Sequence, residues 1–288
     1  MHVHDWTILG ADNQPIIGNT HVPDGEPRGM VIIAHGFKGY KDYGMFPRIA
    51  QRLSDAGFIA HRFNFSHSGM TNKFDTFERP DLFERDTWNK QVYDLKSVIE
   101  WSVAQRPHKT NTALPYILFG HSRGGVATLL TAGRLAEDAS FPQPAGVVTA
   151  SSPDRCNPLS ENDAAQLLTN GYLESPSSRT GQTLRVGKGF LQEQLDEPQQ
   201  HDVLALASRI NCPVLVIHGK ADPTVPADAA QRITQAVGKQ AELLLIPDGD
   251  HVFNTPNPLP DETQESQQFA MLIDAVVQFV RRVTPAQE

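Results

Sequence analysis

The chain has 288 residues, 39% of them hydrophobic, which suits one large domain or two small ones with a real core and does not suit a mainly disordered chain. Its 25 Lys and Arg against 33 Asp and Glu give a net charge of −8 with no strong block of either sign, which disfavours nucleic acid and anionic membranes as partners, because both need a concentrated basic face. No apolar run approaches the ~18 residues of a membrane span, the opening Met1-His2-Val3-His4-Asp5-Trp6 has no basic segment leading into an apolar one, and with only Cys156 and Cys212 a disulfide scaffold or zinc ribbon is excluded, so a cytoplasmic protein is expected.

Short β-branched runs alternate with stretches of helical spacing, the pattern of an α/β fold with a mainly parallel sheet flanked by helices. Trp6-Thr7-Ile8-Leu9 and Ile16-Ile17, divided by the turn signal Asp12-Asn13, predict an antiparallel hairpin on the sheet edge. Val31-Ile32-Ile33-Ala34 is the first strong strand. Phe46, Ile49, Ala50 and Leu53 follow at helical spacing and stop at Gly57, and residues 58–63 read as the next strand. Trp88, Val92, Leu95 and Ile99 mark one face of a helix. Then come the strand Tyr116-Ile117-Leu118-Phe119, a helix over 126–135 and the strand Gly146-Val147-Val148-Thr149. Residues 151–207 lack a strong strand run and are rich in Ser, Asn, Gln, Asp and Glu; too long for an ordinary connection, they are expected to form an inserted lid subdomain between core segments 1–150 and 208–288. Val214-Leu215-Val216-Ile217 and Leu243-Leu244-Leu245-Ile246 are the last strands. Phe269, Leu272, Ile273, Val276, Phe279 and Val280 form the buried face of a closing helix.

Gly120-His121-Ser122-Arg123-Gly124-Gly125 follows a predicted strand and opens a predicted helix, the setting that a G-x-S-x-G nucleophile elbow requires. The strand must turn so sharply into the helix that larger flanking side chains would collide, and the strain leaves the serine hydroxyl exposed above the sheet. An isolated match is explained equally well by a Gly-Ser turn, and the flanking elements favour the nucleophile. A serine hydroxyl needs a base, and His251, in Asp248-Gly249-Asp250-His251-Val252-Phe253 just past the last strand, is the candidate over a merely solvated loop histidine. The base in turn needs a carboxylate. Asp222, in His218-Gly219-Lys220-Ala221-Asp222-Pro223 past the preceding strand, meets that need, although Asp-Pro is also an ordinary turn. Asp154 and Asp250 stay open as alternative acids; Asp222 is favoured because neighbours on one loop tend to point apart and Asp154 begins the lid. Ser122, Asp222 and His251 each lie just past the carboxyl end of an apolar strand, which puts them on one edge of a parallel sheet, where ligand sites form.

His35-Gly36-Phe37 directly follows the first strong strand. The backbone amides of Phe37 and Arg123 are the expected oxyanion-hole donors, with His35 in a structural place beneath that loop rather than in catalysis. His2-x-His4 has a metal-like spacing but reads better as an edge strand or a disordered terminus. Gly187-Lys188-Gly189 and Gly219-Lys220-Ala221 lack the spacing of a phosphate loop, and no dinucleotide fingerprint follows the first strand, so neither a cofactor nor a metal is expected.

Taken together, His35-Gly36-Phe37, Gly120-His121-Ser122-Arg123-Gly124-Gly125, Asp222 with Val225-Pro226, and His251 resemble the α/β-hydrolase superfamily over nearly the whole chain. Within it the sequence looks most like the small bacterial carboxylesterases of the feruloyl or cinnamoyl esterase type, through Arg62-Phe63-Asn64-Phe65, Val186-Gly187-Lys188-Gly189-Phe190 and Ile217-His218-Gly219. It departs from them after the fourth strand, where an Asp and a Gly-His-Gly segment are replaced by Asn64-Phe65-Ser66-His67-Ser68-Gly69. That departure leaves the substrate preference open. The resemblance implies an α/β-hydrolase fold and a cofactor-independent serine hydrolase that cleaves small-molecule carboxylic esters of short acyl or small aromatic acids through an acyl-enzyme. Thioesterase, amidase, peptidase or acyltransferase chemistry on the same three residues remains an alternative, as does a non-catalytic ligand-binding relative. The polar 151–207 stretch, with Tyr172, Phe190 and Leu191 among its few large apolar groups, points to soluble esters rather than lipid aggregates.

Overall fold

A computed structural model of the protein describes residues 2–105, 114–260 and 263–284. β1 (His2–Leu9) and β2 (Pro15–Val22) form the expected antiparallel hairpin, with Asp12 and Asn13 at φ 52° and 56°, a left-handed turn that short polar side chains tolerate. β3 (Met30–Ala34), α1 (Phe46–Asp55), β4 (Ile59–Asn64), α2 (Pro80–Glu84), α3 (Trp88–Ala104), β5 (Tyr116–His121), α4 (Arg123–Leu135) and β6 (Gly146–Ala150) follow. Next come α5 (Glu161–Asn170), β7 (Tyr172–Pro176), β8 (Thr183–Gly187), α6 (Gly189–Asp196) and α7 (Val203–Ala207). The chain then runs through β9 (Val214–Gly219), α8 (Asp228–Val237), β10 (Ala241–Ile246) and α9 (Gln267–Val283).

Eight strands form one sheet in the order β1-β2-β4-β3-β5-β6-β9-β10, parallel from β4 onward, with the hairpin joined antiparallel at one edge. Successive side chains point to opposite faces of a strand, and here both faces are covered. Ile32, Leu118, Val147 and Val216 face a core closed by α3, α4 and α8. Val31, Ile33, Ile117, Phe119 and Val148 face a second core closed by α1 and α9. Burial on both faces is why these strands read as continuous apolar runs instead of alternating ones. Among the described residues no helix is long and apolar enough to cross a membrane, and Cys156 and Cys212 are free thiols.

Between β6 and β9, the short strands β7 and β8 pair with each other, apart from the main sheet. No strand run was legible here because both strands are five residues long and only partly buried, with Glu174 set opposite Arg185 across the pair. The helix α8 likewise gave no strong signal, since its buried stripe of Ala229, Ala230, Ile233 and Val237 is built half from alanine.

The first turn of α4 lies very close to the sheet. A Cβ on Gly124 would stand 2.3 Å from the carbonyl oxygen of Ala34 and 2.6 Å from that of His35, and one on Gly120 would stand 2.2 Å from the carbonyl oxygen of Gly124. Those obstacles are backbone atoms of buried residues and cannot easily move. Gly124→Ala is therefore expected to lower stability in urea by about 1–3 kcal/mol or more. An unchanged urea midpoint would show that the helix is free to move outward.

Candidate active site

Ser122 occupies the single residue between β5 and α4, at φ 54° and ψ −123°, a conformation costing of order 1–3 kcal/mol that the surrounding backbone must enforce. Its amide donates to the carbonyl of Ala150 on β6 at 2.8 Å, while its own carbonyl accepts from Gly125 at 2.8 Å. The turn leaves the hydroxyl at the carboxyl-terminal edge of the sheet, facing the loops that follow β9 and β10.

Those two loops interlock. The amide of Ala221 donates to the carbonyl of Gly249 at 2.9 Å and that of Lys220 to Ile246 at 2.9 Å. They bring His251 Nε2 to 2.9 Å from Ser122 Oγ and His251 Nδ1 to 2.8 Å from Asp222 Oδ2. An ionised carboxylate only accepts, so Nδ1 carries the ring proton and Nε2 is left to accept from the serine hydroxyl. Asp222 is itself fixed by the amides of Thr224 and Val225, which donate to Oδ1 at 2.8 and 3.0 Å. Burial alone would raise its pKa, but the hydrogen bonds from His218, His251 and the Val225 amide outweigh that and hold it far below the usual carboxylate range.

Two histidines that the sequence did not single out complete the support. His121 Nε2 lies 2.7 Å from the carbonyl of His251 and donates to it, and burial lowers the His121 ring to about 3, so it stays neutral. His218 Nε2 donates to the carbonyl of Val225 at 3.0 Å and lies 3.3 Å from Asp222 Oδ2. The only hint of either in the sequence is adjacency, His121 to the nucleophile and His218 to the strand end before Asp222.

The other two acids are otherwise engaged. Asp250 Oδ1 accepts from the amides of Val252 and Asn254 at 2.9 and 2.7 Å, closing its own turn. Asp154 pairs with Arg155 at 3.2 Å and with Arg232. Of the three candidates, Asp222 is the one bonded to His251.

The loop at residues 35–37 rests against the serine, since a Cβ on Gly36 would be 3.0 Å from Ser122 Cβ. His35 lies beneath it as expected: the amide of Phe65 donates to Nε2 at 3.3 Å, so Nδ1 carries the proton and donates to the carbonyl of Gly36 at 2.9 Å. Burial pushes this ring down to about 4, which keeps it neutral. No turn or cap hydrogen bond among the described residues uses the Phe37 or Arg123 amide. The Arg123 side chain has a place the sequence did not foretell. Its guanidinium lies 5.4, 4.6 and 4.9 Å from the ring centres of Phe37, Trp88 and Phe190, with Nη2 3.0 Å from Asp86 Oδ2. Burial raises Asp86 to about 6 against the opposing pull of Arg123.

Two cavities meet at Ser122. One, of about 650 Å³, is bordered by His251, Tyr43, Lys38, Ser177 and Arg179. The other, of about 460 Å³, is walled by Trp88, Leu159, Leu173, Val186 and Phe190. Among the described residues no group of three or more His, Cys, Asp or Glu side chains is placed to hold a metal ion.

Residues 25–170 match a family described as serine aminopeptidase, S33. The chain belongs to this family. Residues 197–283 match the dienelactone hydrolase family, so both parts of the chain are those of the α/β-hydrolase superfamily, and the architecture is the α/β-hydrolase fold. A monoacylglycerol lipase from Mycolicibacterium smegmatis is 24% identical over 282 residues, covering 88% of this chain and 91% of that protein. A putative hydrolase from Agrobacterium vitis S4 has a TM-score of 0.71 at 20% identity, with 98% of each chain covered. Est1E from Butyrivibrio proteoclasticus, solved with ferulic acid bound, has a TM-score of 0.67 at 18% identity, covering 96% of this chain and 98% of that one.

The depressed pKa of Asp222 carries a sign that can be checked. Its folded value lies below its unfolded value, so its contribution to stability is present above the unfolded pKa and is lost as pH falls toward the folded one. The stability gap between the native protein and Asp222→Asn is expected to shrink as pH falls below about 4. Urea midpoints across that range measure it. A gap that does not shrink on acidification would contradict an ionised, hydrogen-bonded Asp222.

Proposed function

We propose that this protein is a serine hydrolase of small carboxylic esters, and the observation carrying the proposal is the continuous hydrogen-bond line from Ser122 through His251 to Asp222, open to both cavities. Ser122 Oγ attacks the ester carbonyl as its proton passes to His251 Nε2, and Asp222 steadies the resulting imidazolium. The amides of Phe37 and Arg123 hold the oxyanion. His251 returns the proton to the leaving oxygen as the C–O bond breaks, which frees the alcohol and leaves the acyl group on Ser122. A water molecule then gives its proton to His251 and attacks the acyl carbon, and the proton goes back to Ser122 as the acid departs.

The two halves of the ester are assigned by the reach of His251. The leaving oxygen must meet His251 Nε2, so the alcohol occupies the cavity that His251 lines, and the acyl group occupies the cavity of about 460 Å³ that it does not. Apolar walls and that volume suit a short acyl chain or one aromatic ring. Four of the walls, Leu159, Leu173, Val186 and Phe190, come from residues 151–207, which gives that segment the role of a lid over the acyl group. Its large apolar side chains face inward: Leu167, Leu184, Phe190 and Leu191 are buried, and only Leu168 and Leu195, on different helices, are exposed among them. Such a lid offers no broad apolar face to a lipid surface.

Ester chemistry is favoured over the aminopeptidase activity named in the family description, because an aminopeptidase must hold its substrate's amine with an acid. Around the acyl cavity, Asp86 is paired with Arg123, Asp154 with Arg155 and Arg232, and Asp163 accepts from the Ser160 hydroxyl at 2.7 Å. Glu174 is exposed. The likeness to a monoacylglycerol lipase and to Est1E agrees with this preference.

With a soluble short-chain ester, Ser122→Ala is expected to lower kcat by about 10⁶-fold and Asp222→Asn by about 10⁴-fold, with far smaller losses for Asp154→Asn and Asp250→Asn. Near-normal turnover by Ser122→Ala contradicts the serine nucleophile, and a larger loss at 154 or 250 redraws the acid. Across a series of acyl lengths, kcat/KM should be higher for short or small aromatic acids than for long chains, with no jump in rate as a substrate passes its solubility limit. A sharp rise beyond that limit would mean that the lid exposes a lipid-binding face.

A further inference from the structure

The alcohol-side cavity has a charge opposite to that of the whole chain. Although the protein carries a net charge of −8, the charged side chains among the described residues that line this cavity are Lys38 and Arg179, with no Asp or Glu among those described residues. Elsewhere around the site, arginines have acid partners: Arg62 has Asp42, Arg123 has Asp86, and Arg155 and Arg232 share Asp154. Neither Lys38 nor Arg179 makes an ion pair within the described residues. Exposed Asp75 acts on Arg179 only from beyond ion-pair distance.

Both cations are half-buried, so water does not fully solvate them. Lys38 Nζ gives one of its three N–H bonds to the carbonyl of Pro176 at 2.7 Å. The guanidinium of Arg179 lies 4.7 and 5.0 Å from the ring centres of Tyr40 and Phe77, with Nη1 donating to the carbonyl of Phe74 and Nη2 3.5 Å from Met70 Sδ. These neutral contacts orient the two groups and leave their charge uncompensated. Burial lowers the pKa of each, as a charged group losing water requires.

We propose that the alcohol-side cavity selects esters whose leaving alcohol carries a fixed negative charge, a carboxylate or a phosphate, held between Lys38 and Arg179. The inference rests on the ester-hydrolase reading and on the assignment of this cavity to the leaving group. Tyr43, Ser177 and Ser178, which also line the cavity, supply neutral hydroxyls to the remaining oxygens of such an anion. The reaction is unchanged: His251 protonates the leaving oxygen, and the anionic group is a handle at a distance from the bond that breaks.

The test uses paired substrates that share an acyl group and differ in leaving-group charge. One pair is meta-acetoxybenzoate against meta-acetoxybenzamide, and the other is monobutyrylglycerol phosphate against monobutyrylglycerol. At low ionic strength the native protein is expected to show kcat/KM about tenfold or more higher for the charged member of at least one pair, the scale of one charge-assisted hydrogen bond. The pair with the larger ratio identifies the anion. That ratio should fall as salt is added, a readout that needs no variant. Lys38→Met and Arg179→Met should each lower it at least about threefold, and Arg179→Lys should keep more of it than Arg179→Met, since the charge is retained while the guanidinium's contacts with Tyr40 and Phe77 are lost. Because the readout is a ratio, any general disturbance of the neighbouring Phe37 loop cancels.

Ratios at or below one in both native pairs, with the neutral esters still hydrolysed, overturn the anionic subsite alone. A ratio that survives in the Lys38→Met, Arg179→Met double variant does the same. If no member of either pair is hydrolysed, the ester-hydrolase reading fails and the inference fails with it.

Discussion

Where α4 begins, the backbone of one helix turn presses against β3 and β5 with no room for a Cβ at Gly120 or Gly124, and Gly125 stands as tightly against Ser152. That contact forces Ser122 into a left-handed conformation that serine does not adopt unaided, and sets its hydroxyl off the end of the sheet. The strain is affordable because both faces of the sheet are packed under helices, so the strands that trap the turn do not yield. His251 and Asp222 arrive at the same edge because parallel strands put all their carboxyl ends there. Their loops are then locked together by the Ala221–Gly249 hydrogen bond, and His121 holds the carbonyl of His251 from within the elbow.

Around this rigid line the protein spends its charged groups unevenly. The buried Arg123–Asp86 pair, stacked among Phe37, Trp88 and Phe190, ties the residue after Ser122 to the loop at residues 35–37, to α3 and to α6. Such pairs gain little net stability, because desolvation offsets attraction, and what this one supplies is a fixed arrangement of three elements around Ser122. The proposed acyl side is mostly apolar, with Arg123 and Arg155 paired to acids, and the proposed alcohol side keeps two cations without an ion pair among the described residues. The proposed division of the cleft follows from which cavity His251 lines.

Much of this was legible in the sequence for physical reasons. Strands buried on both faces must be continuous apolar runs, and Val31-Ile32-Ile33-Ala34 and Val214-Leu215-Val216-Ile217 announced themselves. A helix that starts in contact with a strand must have glycines there, and so Gly120, Gly124 and Gly125 singled out Ser122. What escaped reading depends on pairings between distant or half-exposed residues. β7 and β8 need each other to be strands at all, and the polar residues that let them face solvent disguised them as loop. The sequence pointed to Arg123 only through its backbone amide, and its side chain is placed by Asp86 and three aromatic rings distant in the chain. Lys38 and Arg179 share a cavity because residues 172–187 fold back over the loop that follows β3, which the Lys38 to Pro176 hydrogen bond records.

The covalent step is the centre of the account, and it is tested most directly by an aryl dimethylcarbamate, whose carbamoyl group leaves a serine hydrolase slowly. Native protein treated with this reagent, quenched in acid and mapped by peptide mass spectrometry should carry one carbamoyl group, on the peptide that contains Ser122, in step with loss of ester turnover. A carbamoyl group on Lys38, His251 or any other residue in step with that loss, or full inactivation with no covalent adduct, would contradict it.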